Sequence, residues 1–178
     1  FARTHAENEY ITAAVSGRDI SPFLHYVIIN RGSDDGLRRG MPVVSSQGLV
    51  GRVAAVTADG ARVQLITDPD TAINVRIQPS GAEGLLQGSI TGAITIEAIA
   101  QDAKINTGDL VLTSGLGGNY PPDMLIGQVS GVRQRPVELF QTASVEPVVD
   151  FSQLEIILVI VNFRPVNIAP LIPAAEAP

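Results

Sequence analysis

Hydrophobic and polar residues alternate locally, in short runs along this chain. In "INVRI", Ile73, Val75 and Ile77 fall on one side while Asn74 and Arg76 fall on the other, as a half-buried strand requires. "ITIEAIA" does the same, with Ile94 and Ile96 opposed to Thr95 and Glu97. "EIILVIV", ending at Val161, has no polar face and predicts a central strand covered on both sides. Beyond Gly17, Gly and Pro recur every few residues between such segments, and no amphipathic helix of three turns fits, so the class is all-β. The opening "FARTHAENEYITAAV" differs: it is polar, free of Gly and Pro, and carries the helix formers Ala2, Ala6, Glu7 and Glu9, predicting the end of a helix over 1–17. The closing "RPVNIAPLIPAAEAP", with prolines at 165, 170, 173 and 178, predicts an extended or disordered tail over 165–178.

The chain also repeats itself. Gly40-Met41-Pro42-Val43-Val44-Ser45-Ser46 aligns with Gly108-Asp109-Leu110-Val111-Leu112-Thr113-Ser114, and Leu37 and Ile105 stand three positions before each glycine. Gly51-Arg52-Val53-Ala54-Ala55-Val56 then aligns with Gly127-Gln128-Val129-Ser130-Gly131-Val132. Two copies of one β module predict two small six-stranded-type barrels in tandem, the first over 18–90 and the second over 91–164. Two arrangements satisfy the run Ile156–Val161: a place in the second barrel, or a return to complete the first. Between the repeated pieces the second copy carries a longer hairpin loop, "TSGLGGNYPPD", whose glycines supply positive φ and whose Pro121-Pro122 stiffen the return.

Composition narrows the chemistry. The 178 residues carry a formal charge of −6, and one lysine, Lys104, accompanies the arginines, so a nucleic-acid surface is disfavoured. There is no cysteine, which removes disulfides, thiol catalysis and cysteine metal sites. The longest purely aliphatic run is far shorter than the roughly 20 residues of a membrane helix, and a first residue other than methionine implies a preceding part. A serine hydrolase would need Ser114 beside a histidine and a carboxylate; the candidates are His25 and Asp109, but G-x-S-x-G is absent. Gly115-Leu116-Gly117 is followed by Tyr120 where a dinucleotide fingerprint needs glycine, and prolines forbid a helix after it. "SDDG" and "TDPD" read as turns rather than metal loops. The enlarged loop offers Leu116, Tyr120, Pro121 and Pro122, which either contact another protein or pack on the neighbouring barrel.

Four segments together, "VIINRGSDDGLRRGMPVVSSQGLVGRV", "VQLITDPDTAINVRIQPSGAEGLLQG", "INTGDLVLTSGLGGNYPPDMLIGQV" and "VDFSQLEIILVI", strongly resemble the MreC family of bacterial rod-shape-determining proteins, in order from about Arg18 to about Phe163. The resemblance implies a single-pass inner-membrane protein with a coiled coil, of which "AENEYI" looks like the end, followed by two extracytoplasmic β-barrels similar to trypsin-like barrels without a triad. It implies no catalysis and no cofactor or metal. Its implied role is to scaffold cell-wall elongation by binding a class B penicillin-binding protein, with MreD, RodA and MreB filaments as further partners and self-association as dimers or filaments.

Overall fold

A computed structural model describes residues 8–18, 21, 23–166 and 169–173. Twelve strands run in chain order: β1 (Tyr10–Arg18), β2 (Tyr26–Ile29), β3 (Pro42–Val44), β4 (Leu49–Val56), β5 (Ala61–Leu65), β6 (Ala72–Gln78), β7 (Ala82–Gln87), β8 (Ile94–Ala100), β9 (Leu110–Thr113), β10 (Leu125–Arg133), β11 (Phe140–Pro147) and β12 (Ile156–Ile160). Short 3-10 turns are the only helical pieces among the described residues. The strands close into two antiparallel barrels of six, in the order β1-β12-β3-β4-β5-β2 and β10-β11-β8-β7-β6-β9.

Alternation drives each closure. Val27, Ile29, Val43, Val53, Val63, Ile157 and Val159 fill the first barrel, while Ile73, Val75, Ile77, Ile96, Val111, Ile126 and Val129 fill the second. Burying a β-branched chain of this kind contributes about 1.5–3 kcal/mol, and full closure leaves no strand edge open.

The internal repeat is reproduced in the geometry. Gly40 and Gly108 both have φ of 96°, and each donates its N–H across a 2.8 Å hydrogen bond, to the carbonyl of Val53 and of Val129 respectively. Gly51 and Gly127 lie where a Cβ would come 1.8 Å from the Gln64 carbonyl oxygen and 2.1 Å from that of Glu146, so only glycine fits at either crossing. Matching the pairings makes β1 to β5 the counterparts of β7 to β11, and β12 the counterpart of β6. The first barrel is a circular permutation of the second, its leading strand supplied last in the chain.

Three expectations change. Residues 1–7 lie outside the described residues, but Tyr10–Arg18 is a strand rather than the end of a helix, paired to β12 and β2. Ile11, Ala13 and Val15 point inward with period two, and the small alanines had concealed that pattern. The 90/91 boundary also moves: β6 and β7 pair with β9 and β8, so the second barrel begins at Ala72. With β12 closing the first barrel, β6 and β7 are free to open the second, which is inserted rather than strictly in tandem. Finally, the proline-rich segment starts in an ordered way. Val166 N–H donates to the Gly118 carbonyl at 2.9 Å, and Pro165 lies against Gly40; residues 167–168 and 174–178 are outside the described residues.

The barrels meet closely. Leu49 and Ile66, from the first barrel's end, belong to the second barrel's apolar cluster, and Phe151 packs on both clusters. Cβ atoms at Gly48 and Gly88 would come within 2.6 Å of the Leu125 carbonyl oxygen and 2.2 Å of the Asp68 carbonyl oxygen. Two outcomes are expected. Gly51→Val should cost about 3 kcal/mol or more in urea unfolding, because the clash is with backbone rather than a movable side chain. A chain ended after Val149 should lose the dispersed amide NMR signals of β1–β5 and keep those of β6–β11.

Candidate functional site

The enlarged β9–β10 loop is tied down from three sides. Ser114 N–H donates to the Asn74 carbonyl at 3.0 Å, and the Asn74 side-chain amide donates to the Leu116 carbonyl at 3.2 Å. Arg76 forms an ion pair with Asp123, a residue at φ 66°. Thr113, fully buried, donates through its hydroxyl to the Pro121 carbonyl at 2.6 Å and accepts the Met124 N–H at 2.9 Å. Gly115, Gly117 and Gly118 take positive φ, and a Cβ on Gly118 would touch Val166. The loop is a fixed platform on the second barrel.

The four residues singled out in this loop separate. Leu116 is 54% exposed and Pro122 is exposed, Pro121 is half-buried, and Tyr120 is only 8% exposed within the second barrel's core. Tyr120 as placed is a core residue, not a contact surface, because the glycine turns before it swing its ring inward. The elements of a hydrolase are not brought together. Both His25 ring nitrogens are engaged elsewhere, Nδ1 with the Thr67 hydroxyl at 3.1 Å and Nε2 with the Ile90 carbonyl at 3.0 Å. Asp109 accepts the Asn106 N–H, and the Ser114 hydroxyl accepts the Leu116 N–H. His25 instead ties the first barrel to the β7–β8 loop. Asp68, in the "TDPD" turn, accepts from His25 N–H, Gln64 and Asp70 N–H, which is a capping role. Among the described residues no group of three or more His, Cys, Asp or Glu could hold a metal.

A second feature escaped the sequence reading. Outward positions of β2, β5 and β4 bring Tyr26, Gln64 and Arg52 into one cross-strand row. There a concavity of about 280 Å³ is lined by Arg39, Arg52 and Arg62, with Leu24 and Tyr26 beside them. The Arg62 guanidinium sits over the Tyr26 ring at 5.5 Å. Only the pairing of β4 with β5 and β5 with β2 shows that Arg52 and Arg62 converge.

Arg52 also acts on the loop from across the barrel junction. Burial pushes the Tyr120 phenol up to about 12, and the positive charge of Arg52 partly opposes this. An unfolded tyrosine ionises near pH 10, so this contribution to stability is complete below about pH 10 and lost as pH rises through about 12. In urea titrations across that window, Tyr120→Phe should therefore lose stability less steeply than the parent, by up to ~1.4 kcal/mol per pH unit.

Comparison with known proteins agrees with this architecture. The family described as "Rod shape-determining protein MreC, barrel core" matches residues 15–161. The cell shape-determining protein MreC of Cereibacter sphaeroides is 35% identical over 151 residues, covering 85% of this chain and 48% of that protein. The chain thus spans about half the length of the curated relatives it matches. The crystal structure of MreC from Pseudomonas aeruginosa superposes with a TM-score of 0.81 at 28% identity, covering 86% of this chain and 99% of that one. A complex between the penicillin-binding protein PBP2 and MreC from Helicobacter pylori contains the same fold, with a TM-score of 0.69, 20% identity, and coverage of 88% and 99%. From the family match, the paired barrels and the identity to its relatives, the chain belongs to the MreC family of rod shape-determining proteins, a structural and not a catalytic family.

Proposed function

We propose that these barrels are the extracytoplasmic part of a cell-shape scaffold that binds and positions a class B penicillin-binding protein, catalysis belonging to the partner. The reading extends to the wider elongation machinery: the scaffold joins that enzyme to MreD, RodA and the MreB filaments, and copies associate as dimers or filaments. No helix among the described residues is long and apolar enough to cross a membrane. The proposed anchor is a single inner-membrane helix in another part of the protein, followed by a coiled coil that ends before β1. Family membership supports the role, and the existence of a PBP2–MreC complex for a relative supports the partner.

The observation that carries the interface is the fixed β9–β10 loop. Ordering a loop before binding removes an entropic cost at association, and apolar residues on a rigid support make effective anchors. Leu116 and Pro122 meet that description, with Pro121 at the margin, while Tyr120 holds the platform from beneath. In titrations against the extracytoplasmic part of the organism's own class B penicillin-binding protein, Leu116→Asp should weaken binding about tenfold or more without lowering Tm. Tyr120→Asp should lower Tm strongly, because it buries a charge in the second core. The β10–β11 hairpin offers a second apolar surface, with Val137 93% and Leu139 82% exposed. Should Leu139→Asp abolish binding while Leu116→Asp is silent, the partner sits on that hairpin instead.

A further inference from the structure

The cationic side of the first barrel continues past the concavity on β2, β5 and β4. A neighbouring concavity of about 380 Å³ is lined by Arg38, Arg39 and Arg164, with Met41, Val161 and Phe163 as its apolar part. Arg39 borders both, so the two adjoin. Together they gather five guanidinium groups, Arg38, Arg39, Arg52, Arg62 and Arg164, against two carboxylates, Asp68 and Asp70. This concentration stands out in a chain of net charge −6.

Among the described residues the five arginines are uncommitted to acids: the ion pairs there are Arg76 with Asp123 and Arg135 with Glu138, and none of the five takes part. Among the described residues Arg52 donates only through Nε, to the Gln64 side-chain oxygen at 3.4 Å, which leaves its outer nitrogens to donate elsewhere. Gln64 is in turn held by Asp68, so the base of the first concavity is set in advance. Asp68 is 3% exposed and already accepts three hydrogen bonds, so it offers little competition for the guanidinium forks.

We infer that this double concavity is a docking groove for an extended acidic segment of a partner protein, separate from the β9–β10 loop. Planar guanidinium forks match carboxylates in paired hydrogen bonds. Leu24 and Tyr26 in one concavity, and Met41, Val161 and Phe163 in the other, give apolar side chains of the same segment a place beside the charges. Two adjoining hollows suit a chain laid lengthwise, whereas a membrane favours a flat or convex face. Asp70 at the rim further disfavours a compact dianion such as phosphate, whose second charge it would repel.

The test uses the whole chain and a fluorescein-labelled peptide, acetyl-Leu-Glu-Leu-Asp-Leu-Glu-amide, followed by fluorescence anisotropy. Saturable binding is expected, weakening roughly tenfold as salt rises from about 50 to about 300 mM. Arg39→Gln, which touches both hollows, should weaken it about tenfold, and Arg52→Gln or Arg164→Gln each about three- to fivefold. Arg133→Gln, on the β10–β11 hairpin, should leave it unchanged, and a lysine-for-acid version of the peptide should not bind. All the arginines concerned are at least partly exposed, so unchanged Tm is expected and serves as the folding control. The inference is overturned if the peptide does not bind at about millimolar concentration or if Arg39→Gln matches Arg133→Gln. It is equally overturned if inorganic phosphate or phosphatidylglycerol vesicles, rather than the peptide, show the Arg39 dependence, or if that dependence appears only in self-association measured by sedimentation.

Discussion

Closure of the first barrel by β12 is the constraint on which the rest of the molecule depends. Five strands leave β1 and β3 with open edges, and unpaired backbone groups at an edge must find partners or invite foreign ones. β12 satisfies both, matching Tyr10 with Ile160 through Ala14 with Ile156 on one side and Val43 with Val159 on the other. The chain therefore crosses between barrels twice, after β5 and before β12. Two crossings, with Leu49, Ile66 and Phe151 packed at the junction, hold the barrels in one relative pose. Both candidate surfaces depend on it. Val166, just beyond β12, braces the β9–β10 loop, and Arg164 from the same segment completes the cationic groove.

Much of the architecture was legible because strands announce themselves locally. The period of two in "INVRI" and "ITIEAIA", and the twin glycines Gly40 and Gly108, depend on near neighbours and on backbone angles that few other residues adopt. Ownership of strands was not legible. Nothing in β6 or β7 says which barrel will pair with them, since that was decided by β12, some seventy residues further along. β1 was hidden for a different reason: Ala13 and Ala14 fit a helix as readily as a strand, and pairing with β12 and β2 settled the matter. Propensity yields to tertiary context where side chains are small.

The functional surfaces show the same division. "GLGGNYPPD" could be read as a rigid loop with apolar residues, yet the direction of each side chain followed from the positive-φ glycines Gly115, Gly117 and Gly118 acting with Thr113 and Asn74. Tyr120 went inward and Leu116 outward, a distinction no local pattern carries. In the sequence the arginines were visible only as a feature of composition. Their convergence needed strands that are neighbours only after folding, β2 beside β5 beside β4, and a loop after β12.

The permuted connection also bears on how the molecule assembles in time. The second barrel is built from six consecutive strands, so its contacts span short stretches of chain and can form early. The first cannot be finished until β12 has been made, and β1, paired with β2 on one side, must wait about 150 residues for β12 on the other. An unstructured connector of that length would carry a large closure cost, but a folded insert brings its two ends together as a compact body. The inserted barrel thus acts as an internal assembly jig, shortening the search by which the first and last strands of the structure find one another.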